Sequence, residues 1–426
     1  MRGLLSGMGC LDIGMRWARA RRAGLIAGVA LCAIAALSRA ADVLVVKPGA
    51  SKEGMDLSEL ACAGDEASRL FRKTLESDLA LSGWFDIVSG HGSYSVSGSC
   101  RGAGSSLEVA CAVRKTLVGQ TCMNQSFRDT TDQARRLAHK VADEIIKAVK
   151  GVTGFASTRI AMIGKRGGKE DLYICDADGG NLTQVTKDGS ICMAPTWSPR
   201  ADFIFYTSFH RGYPDVYRVD LAGSRRDRAC GYPGLNVGAC VSPNGRSLAV
   251  VLSKDGNPEV YIMNLADSHL VRVTKTRYAA EASPSWSPDG RQLVYVSDRD
   301  TIPGKPRSLQ LYTFDIGTGR EKRLTLQGQE NVAPDWGPDG RVACSSRQGG
   351  RYSIALIDPA SGRAEYLSSG GFDDEDPSWA RDGRHIVVRR TGGHHSDLYI
   401  LDALGGPPVR LTRLDGDWSS PAWSRN

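Results

Sequence analysis

The chain has 426 residues, 41% of them hydrophobic and 24% charged, a composition typical of a folded globular protein rather than a disordered or fibrous one. Of the formal net charge of +7, five units belong to an amino-terminal leader with six arginines and one aspartate, which leaves about +2 for the remainder. A chain so close to neutrality gives no support to nucleic-acid or membrane-surface binding.

Residues 1–40 have the pattern of a secretory signal peptide. Basic residues precede a short apolar run at 23–37, and the small residues at 38–40 offer a cleavage site before Ala41. The run is short for a membrane span, and no second apolar run follows it. Initiation at Met15 would give a leader of more ordinary length. The sequence therefore predicts an exported, soluble protein.

A strand-forming stretch comes directly after the leader, and a flexible stretch at 48–54 follows it. The strand-forming residues are Asp42, Val43, Leu44, Val45 and Val46. They form either an edge strand of the first domain or a detachable peptide that adds to a sheet edge of a partner. The residues alone leave both interpretations open for the segment from Ala41 to Gly54.

Residues 41–152 read as a small α/β domain. Apolar residues at helical spacing predict helices over Asp65–Gly83 and Asp132–Lys150, with Asp65 as the N-cap of the first. Between the helices, alternating segments predict three strands, at Tyr94–Cys100, Leu107–Val113 and Gln120–Phe127.

The cysteines fit an exported chain. Removing Cys10 and Cys32 with the leader takes the eleven cysteines to nine, an odd number, and no C-x-x-C motif points to a metal. Four fall in the first domain: Cys62, Cys100, Cys111 and Cys122. A hairpin turning at 115–119 places Cys111 opposite Cys122, which favours Cys111–Cys122 with Cys62–Cys100. The two other connectivities remain open.

A Trp-Ser-Pro-Asp-Gly element at 286–290 recurs in degraded copies along the last two thirds of the chain. The copies are spaced by 43 to 50 residues and start at Trp197, Val241, Trp286, Trp336, Trp379 and Trp423. A period near this length, with several short strands in each unit, is typical of a β-propeller with one blade per repeat. A stacked solenoid is the alternative.

A second repeat runs in phase, with an apolar-Tyr-x-x-Asp strand in each unit, so each unit reads as four strands. The first Tyr strand, at Leu172, precedes every Trp copy, and the last Trp copy, at Trp423, has no following strand. The two incomplete ends complement each other. The sequence thus predicts a six-bladed propeller over residues 158–426, closed by the C-terminal strand, in a mostly β protein. A solenoid would not explain the complementary ends.

Catalytic motifs give no support to an enzyme. The chain has no Gly-x-Ser-x-Gly, Walker loop, Gly-x-Gly-x-x-Gly or His-Glu-x-x-His element. The enzymatic alternative is the gating propeller of a peptidase-like protein, which needs a hydrolase domain that this sequence lacks. We therefore expect a binding protein without catalytic residues, cofactor or metal.

At this point the sequence resembles the TolB family of periplasmic propeller proteins in the Tol–Pal system. The resemblance rests on Ser82–Phe85 after the first helix, on Ala138–Glu144, on the junction 151–161, on the Trp-Ser-Pro repeats and on the ending Ser420–Ser424. These segments occur in order along the whole chain after the leader. The repeats alone also occur in other propellers.

The resemblance implies a monomeric periplasmic protein with two protein partners. The peptidoglycan-associated lipoprotein Pal would bind at the mouth of the propeller channel, and the inner-membrane protein TolA, or its local counterpart, would bind the extreme N-terminus. It thereby favours the detachable-peptide interpretation, and it implies a role in outer-membrane integrity and constriction at division. The alternative is a ligand- or polysaccharide-sensing propeller outside the Tol system.

The loops before the innermost strands would line the mouth that binds the lipoprotein. The candidate binding residues there are Met193, Asn236, Glu281, Glu330, Asn331, Asp374, Glu375 and Asp417. The acidic run at 372–376 is either a solvated loop or an acidic rim that orients a partner of complementary charge. The sequence departs from the family pattern at some positions, such as Val241 in place of an aromatic residue and Leu235 in place of histidine. The resemblance therefore implies the same binding surface, but not each individual contact.

Overall fold

The structure is a computed structural model that describes residues 51–223, 225–302, 304–325, 330–367 and 371–426. The leader and the segment Asp42–Val46 lie outside the described residues. In the part of the chain that is described, neither helix has the length and apolarity needed to cross a membrane.

A small α/β unit comes first. Its sheet has the strand order β3-β1-β4-β5-β6, with β2 added alongside β4, and two helices pack on it. The elements are β1 (Glu53–Asp56), β2 (Leu60–Cys62), α1 (Glu66–Leu81), β3 (Phe85–Val88), β4 (Tyr94–Ala103), β5 (Ser106–Lys115), β6 (Gln120–Thr130), a 3-10 turn (Thr131–Gln133) and α2 (Ala134–Lys150).

Both predicted helices are present, and their ends have identifiable causes. The Asp65 side chain caps α1 by accepting a hydrogen bond from the Ser68 N–H, and α2 ends at Gly151 in the left-handed conformation. The buried stripe of α1, which includes Phe71 and Leu75, packs with that of α2 in one core beneath the sheet. The hydrophobic periodicity in the sequence thus predicts the buried face of each helix correctly.

Two details of this unit differ from the sequence-based predictions. Glu53 and Gly54, expected at the end of a flexible stretch, begin β1, which pairs in parallel with both β3 and β4. The predicted hairpin register is also wrong. The hairpin turns between Lys115 and Gln120, later than predicted, and a bulge near Val113 shifts the pairing by one further residue, so Cys111 faces Gln125 and not Cys122. The structure leaves all nine described cysteines unbonded.

Six four-stranded antiparallel sheets follow, which confirms the six-bladed propeller. Blades 1 to 5 each run from the innermost to the outermost strand in chain order. Blade 1 is β10 (Cys192–Trp197), β11 (Phe203–Ser208), β12 (Asp215–Asp220) and β13 (Arg226–Cys230); blade 2 is β14 (Asn236–Val241), β15 (Ser247–Leu252), β16 (Glu259–Asn264) and β17 (Leu270–Arg272); blade 3 is β18 (Glu281–Trp286), β19 (Gln292–Ser297), β20 (Gln310–Asp315) and β21 (Glu321–Arg323); blade 4 is β22 (Glu330–Trp336), β23 (Val342–Gln348), β24 (Arg351–Ile357) and β25 (Ala364–Tyr366); blade 5 is β26 (Asp373–Trp379), β27 (His385–Gly392), β28 (His395–Asp402) and β29 (Val409–Arg410).

The sixth or closing blade combines both ends of the propeller chain. Its innermost strand is β30 (Asp417–Trp423), followed by β7 (Arg159–Arg166), β8 (Lys169–Asp176) and β9 (Thr183–Gln184). Strand β30 pairs antiparallel with β7, from Asp417 opposite Lys165 to Trp423 opposite Ile160. The closure predicted from the complementary ends is confirmed, and it removes the open sheet edges.

The core of the propeller lies between neighbouring blades. Each blade presents an apolar face to the next, and the repeated Trp and Tyr side chains fill the space between them. In the Arg-Leu-Thr strands, the threonine hydroxyl accepts a hydrogen bond from the Tyr strand, as Thr412 does from the Leu398 N–H at 3.0 Å. The residues of the second repeat therefore supply hydrogen bonds between strands as well as buried apolar side chains.

Candidate functional site

The innermost strands β10, β14, β18, β22, β26 and β30 all start at one end of the ring and contact their neighbours around the channel. We call the end where they start the mouth and the opposite end, with the Trp-Ser-Pro turns, the far face. All eight candidate residues lie within the first three positions of these strands. The structure therefore brings them together at one opening.

Each innermost strand carries a bulge just below the mouth, where its pairing register shifts. The residue at the bulge adopts the left-handed conformation, with φ between 46° and 64°, at Ala194, Gly238, Ser283, Ala333, Asp376 and Ser420. The bulge separates the mouth residues from the Pro-x-Trp element below it. One backbone device is thus repeated in all six blades, although five of the six residues are not glycine.

Asp374 and Glu375 do not form an open acidic rim. They lie in β26 with exposed fractions of only 2% and 5%, not in a solvated loop. Arg390 donates two hydrogen bonds to Asp374, at 2.7 and 2.8 Å, and Arg389 is paired with Glu375. These arginines neutralise Asp374 and Glu375, so the predicted acidic rim is wrong for these two residues.

Arginines also pair with the glutamates of two other blades. Arg299 lies 3.1 Å from the fully buried Glu281 and also contacts Glu321. In blade 4, Glu330 accepts a 2.6 Å hydrogen bond from the Tyr352 hydroxyl and lies 3.3 Å from Arg347. Glu281 and Glu330 are thus held in local pairs rather than presented to solvent.

The remaining candidates are also integrated into the scaffold. The buried Asn236 amide bridges the loop before its own strand, donating to the carbonyl of Tyr232 at 2.8 Å. Asn331 donates to the side chain of Gln310 in the neighbouring blade at 3.0 Å. Asp417 lies 3.1 Å from His395, and Met193 is half-buried in β10. Most of the predicted site residues therefore hold the strands and loops of the mouth in place through buried hydrogen bonds and ion pairs.

Burial changes the acidity of two mouth carboxyls. It raises the pKa of Glu281 to about 7, although Arg299 opposes the shift. It raises the pKa of Glu375 to about 7 as well, against the opposing charge of Arg389. Desolvation therefore outweighs the paired arginine in the acidity of both groups.

The loops of the mouth also expose large apolar side chains. Six large apolar side chains, 39% to 82% exposed, lie in loops that open on this end, and we call them the apolar rim: Ile191, Tyr213, Tyr278, Ile302, Phe372 and Leu414. The strand register places the loop after each second strand, and the loop before each innermost strand, at the mouth. Exposed aromatic residues around a concave opening are typical of a protein-binding surface. The sequence analysis missed these residues because their exposure depends on that register.

The far face carries the α/β domain. Arg135 of α2 donates to Asp178 at 2.6 Å and to Asp176 at 3.2 Å, in the turn between β8 and β9. Arg381, between β26 and β27, donates to Asp143 of α2 at 2.8 Å. The domain therefore contacts the closing blade and blade 5 at the end opposite to the mouth.

His139 lies at the centre of this contact between the domains. Its two ring nitrogens are 2.7 Å from Asp78 and 3.3 Å from Asp176. Burial lowers its pKa, but the hydrogen bonds to Asp176 and Asp78 outweigh burial and raise the pKa to about 10. Within the described residues, His139, Asp176 and Asp178 are spaced closely enough to hold a metal ion. The Arg135 guanidinium already bonds both carboxylates, so the cluster fits an ion-pair network better than a metal site.

The C-terminal residues lie on the far face too. The Arg425 guanidinium is 2.5 Å from Asp335 and donates to the carbonyl of Trp336 at 2.9 Å, both at the end of β22. Asn426 reaches the carbonyl of Arg200 in blade 1. The tail thus lies over the far-face ends of innermost strands in blades 1 and 4.

Comparison with known proteins decides the family. Residues 146–426 match the TolB beta propeller domain. A protein TolB homolog from Chlorobium luteolum is 30% identical over 329 residues, which cover 77% of this chain and 73% of the homolog. The chain belongs to the TolB family.

A second TolB relative and a solved TolB structure agree with this. The Tol-Pal system protein TolB of Bordetella pertussis is 32% identical over 179 residues, 42% of this chain and 41% of that protein. The crystal structure of TolB from Acinetobacter baumannii superposes with a TM-score of 0.78 at 26% identity, covering 89% of this chain and 98% of that one. That TolB shares both the propeller and the preceding α/β unit. The family membership supports a general role as a TolB of the Tol–Pal system.

Proposed function

We propose that this protein is a periplasmic adaptor that binds the peptidoglycan-associated lipoprotein at its mouth and a TolA-like inner-membrane protein through its N-terminal segment. It has no catalytic role and acts as a monomer. By linking the two partners it maintains outer-membrane integrity and supports constriction at division.

The observation that carries the mouth assignment is the placement of the apolar rim. The rim surrounds the opening opposite to the α/β domain, while the charges beneath it are already paired, as for Asp374 with Arg390. A partner that covers the rim would bury apolar surface without having to neutralise the acids of the scaffold. Hot spots of protein interfaces are enriched in such aromatic side chains.

The placement of β1 supports the N-terminal assignment. Strand β1 has neighbours on both sides, β3 and β4, so the residues before Glu53 have no free edge of β1 to pair with. The segment Asp42–Val46 is then available to add to a sheet edge of another protein.

The test uses the mature protein and the peptidoglycan-associated lipoprotein of the same cell, produced without its acyl chains. Changing Tyr278 and Phe372 to serine removes two exposed aromatics from the rim. We expect the Kd to rise about 10- to 100-fold, since central interface aromatics contribute on the order of 1–3 kcal/mol. The melting temperature should stay nearly constant because both side chains are exposed.

The far face offers a matched control. Ile316 and Leu404 are also exposed apolar residues, at 38% and 41%, but they lie in turns at the opposite end. Changing both to serine should leave the Kd unchanged. Weaker binding for this pair alone would move the site to the far face, and unchanged binding for both pairs would contradict the assignment to the mouth.

A further inference from the structure

Two cysteines of the α/β domain lie opposite each other on neighbouring strands. Strands β2 and β4 run parallel, with Cys62 paired with Cys100 in the register. Neighbouring strands are about 4.8 Å apart, which falls within the range of roughly 4.4–6.8 Å between the Cα atoms of bonded cysteines. The two thiols lie close enough to influence each other's pKa. The backbone register is therefore compatible with a bond between them.

The surroundings of the two sulfurs differ. Cys62 is half-buried and lies beside the guanidinium of Arg72, which also donates to the carbonyl of Leu60 at 2.8 Å and pairs with Glu76. Cys100 is 1% exposed in the core beneath the sheet. An anchored cation next to an accessible thiol is the setting in which a cysteine becomes nucleophilic.

The acidities follow this asymmetry. The hydrogen bond with the Cys100 thiol, and then Arg72, lower the pKa of Cys62 to about 7 against the opposing effect of burial. The pKa of Cys100 is raised because it shares its proton with Cys62 and is buried. Cys62 is therefore the sulfur that is partly a thiolate at neutral pH, and Cys100 is the one that reacts second.

The other cysteines of this domain are placed differently. Cys111 faces Gly98 on one side and Gln125 on the other. Cys122 lies on β6 next to the bulge, and its thiol contacts the carbonyl of Gln120. Of the four cysteines in this domain, only Cys62 and Cys100 are therefore directly opposite each other in the strand register.

We propose that Cys62 and Cys100 are a thiol–disulfide exchange site, which a dithiol–disulfide oxidant of the exported compartment converts to an intramolecular disulfide between β2 and β4. This inference goes beyond partner binding and does not depend on it.

The reaction balances in two steps. The Cys62 thiolate attacks one sulfur of the oxidant's disulfide, forming a mixed disulfide and releasing the other sulfur as a thiolate. Cys100 then loses its proton, and its thiolate attacks Sγ of Cys62, forming the Cys62–Cys100 bond and expelling the remaining thiolate. Two electrons pass from the protein to the oxidant, and the two thiol protons end on the reduced dithiol.

The bond would close a loop that contains α1 and β3. The end of α1 contacts the propeller, because Leu81 packs against the core of the closing blade and Gly83 accepts a hydrogen bond from Arg384. Closing a loop of this length restricts the unfolded chain, so we expect the bonded form to melt roughly 5–10 °C higher than the reduced form.

The test quantifies free thiols in the full mature chain recovered from an oxidising compartment. The protein is denatured without reductant in the presence of N-ethylmaleimide, and the labelled cysteines are counted by mass. Of the nine cysteines, two should be protected, leaving seven labelled, with a cross-linked peptide pair that contains Cys62 and Cys100. Nine labelled cysteines, or a link to Cys111 instead, would overturn the proposal.

Serine variants provide the matched controls. In Cys62→Ser, all eight remaining cysteines should be labelled. In Cys122→Ser, which removes another half-buried thiol of the same domain, the Cys62–Cys100 link should persist. A link lost in the Cys122 variant and kept in the Cys62 variant would contradict the pairing.

A kinetic measurement tests the role of Arg72 as a positioning residue. The reduced protein reacts with oxidised glutathione between pH 6 and 9, and formation of the Cys62–Cys100 disulfide, which follows attack by Cys62, is measured by mass. Arg72→Gln should slow the reaction several-fold at pH 7 and move its pH midpoint upward, and Arg72→Lys should restore most of the rate. An identical pH profile in the glutamine variant would contradict Cys62 as the attacking sulfur.

Discussion

The indole N–H of Trp423 donates a 2.7 Å hydrogen bond to Oγ1 of Thr158, although the two residues are 265 positions apart. The Phe155 ring packs edge-on against Trp423, with 5.2 Å between the ring centroids. Since Thr158 immediately precedes the first propeller strand and Trp423 lies in the last, closure of the ring and the junction of the domains share one buried contact.

Changing Thr158 to valine should destabilise the protein by about 1–3 kcal/mol, because the indole N–H of Trp423 loses its acceptor in a buried site. The measurement is urea unfolding. Thr116→Val is the control: Thr116 is exposed in a hairpin turn, and we expect a change within about 0.5 kcal/mol. Equal effects for the two variants would contradict a special role for this contact.

Deleting residues 421–426 should be more severe, since it removes the buried Trp423 ring and opens an edge of β7. Loss of a buried tryptophan alone costs about 3–5 kcal/mol. Deleting only residues 425 and 426 preserves β30 and serves as the control. A melting curve of the longer deletion that matches the parent would refute the closure of the ring by this strand.

Changing Glu375 to alanine should destabilise the propeller by about 3–5 kcal/mol, because Arg389 is 4% exposed and would lose its buried partner. The double variant Glu375→Ala with Arg389→Met should recover much of this loss, as measured by chemical unfolding. The interpretation of residues 372–376 as a solvated loop predicts little effect of such a change. Unchanged stability in the single variant would support that interpretation and contradict the buried ion pair.

The contact between the domains should weaken at alkaline pH. The pKa of His139 is raised in the folded state to about 10, so its contribution is complete below its unfolded pKa near 6.5 and is lost as the pH rises through 10. We expect the stability to fall by on the order of 2–4 kcal/mol from pH 7 to pH 10 through this group. In His139→Gln this part of the decline should be absent, as followed by thermal melting at each pH. An identical decline in the variant would exclude His139 as its source.

Deleting residues 41–50 should abolish binding to the TolA-like protein and leave the Kd for the lipoprotein unchanged. The deletion must stop there, because Met55 of β1 is fully buried and its loss would disrupt the domain. Binding of both partners is measured by surface plasmon resonance with the deleted and the full mature protein. Retained binding of both would make the segment a purely structural element.

The repeat period predicted the ring of blades, because the Trp-Ser-Pro turns and the Tyr strands mark the same elements in every unit. The partners of the acidic residues at the mouth could not be predicted in the same way. Asp374 faces Arg390 and Glu375 faces Arg389 only because a bulge between Glu375 and Ser378 shifts the pairing of β26 with β27. Extending the register from Trp379 without the bulge assigns each acid a different neighbour.

Two features of the hairpin explain the wrong cysteine pairing in the first domain. Its turn joins Lys115 to Gln120, which moves the pairing by two residues from the predicted register, and the shift between Val113 and Arg114 moves the partner of Cys111 by one more. A sequence locates a turn through its glycine, but a single extra residue inside a strand has no comparable signal when the residue is not glycine. Fold and closure were therefore predictable, whereas side-chain partners near the bulges were not.

The shared closing blade has a consequence for the order of folding. Strands β7, β8 and β9 are made first, and β30, their innermost partner, is made last, so their pairing has the longest loop in the propeller to close. Non-local pairing of this kind is slow, because the entropy of loop closure is lost before any contact forms. While the chain is being completed, the edge of β7 stays unpaired until the last residues arrive, and a chain stalled before Pro421 would present that edge to any neighbouring strand. Quality control of this protein should therefore act on chains that lack their last few residues more strongly than on chains with changes at the mouth.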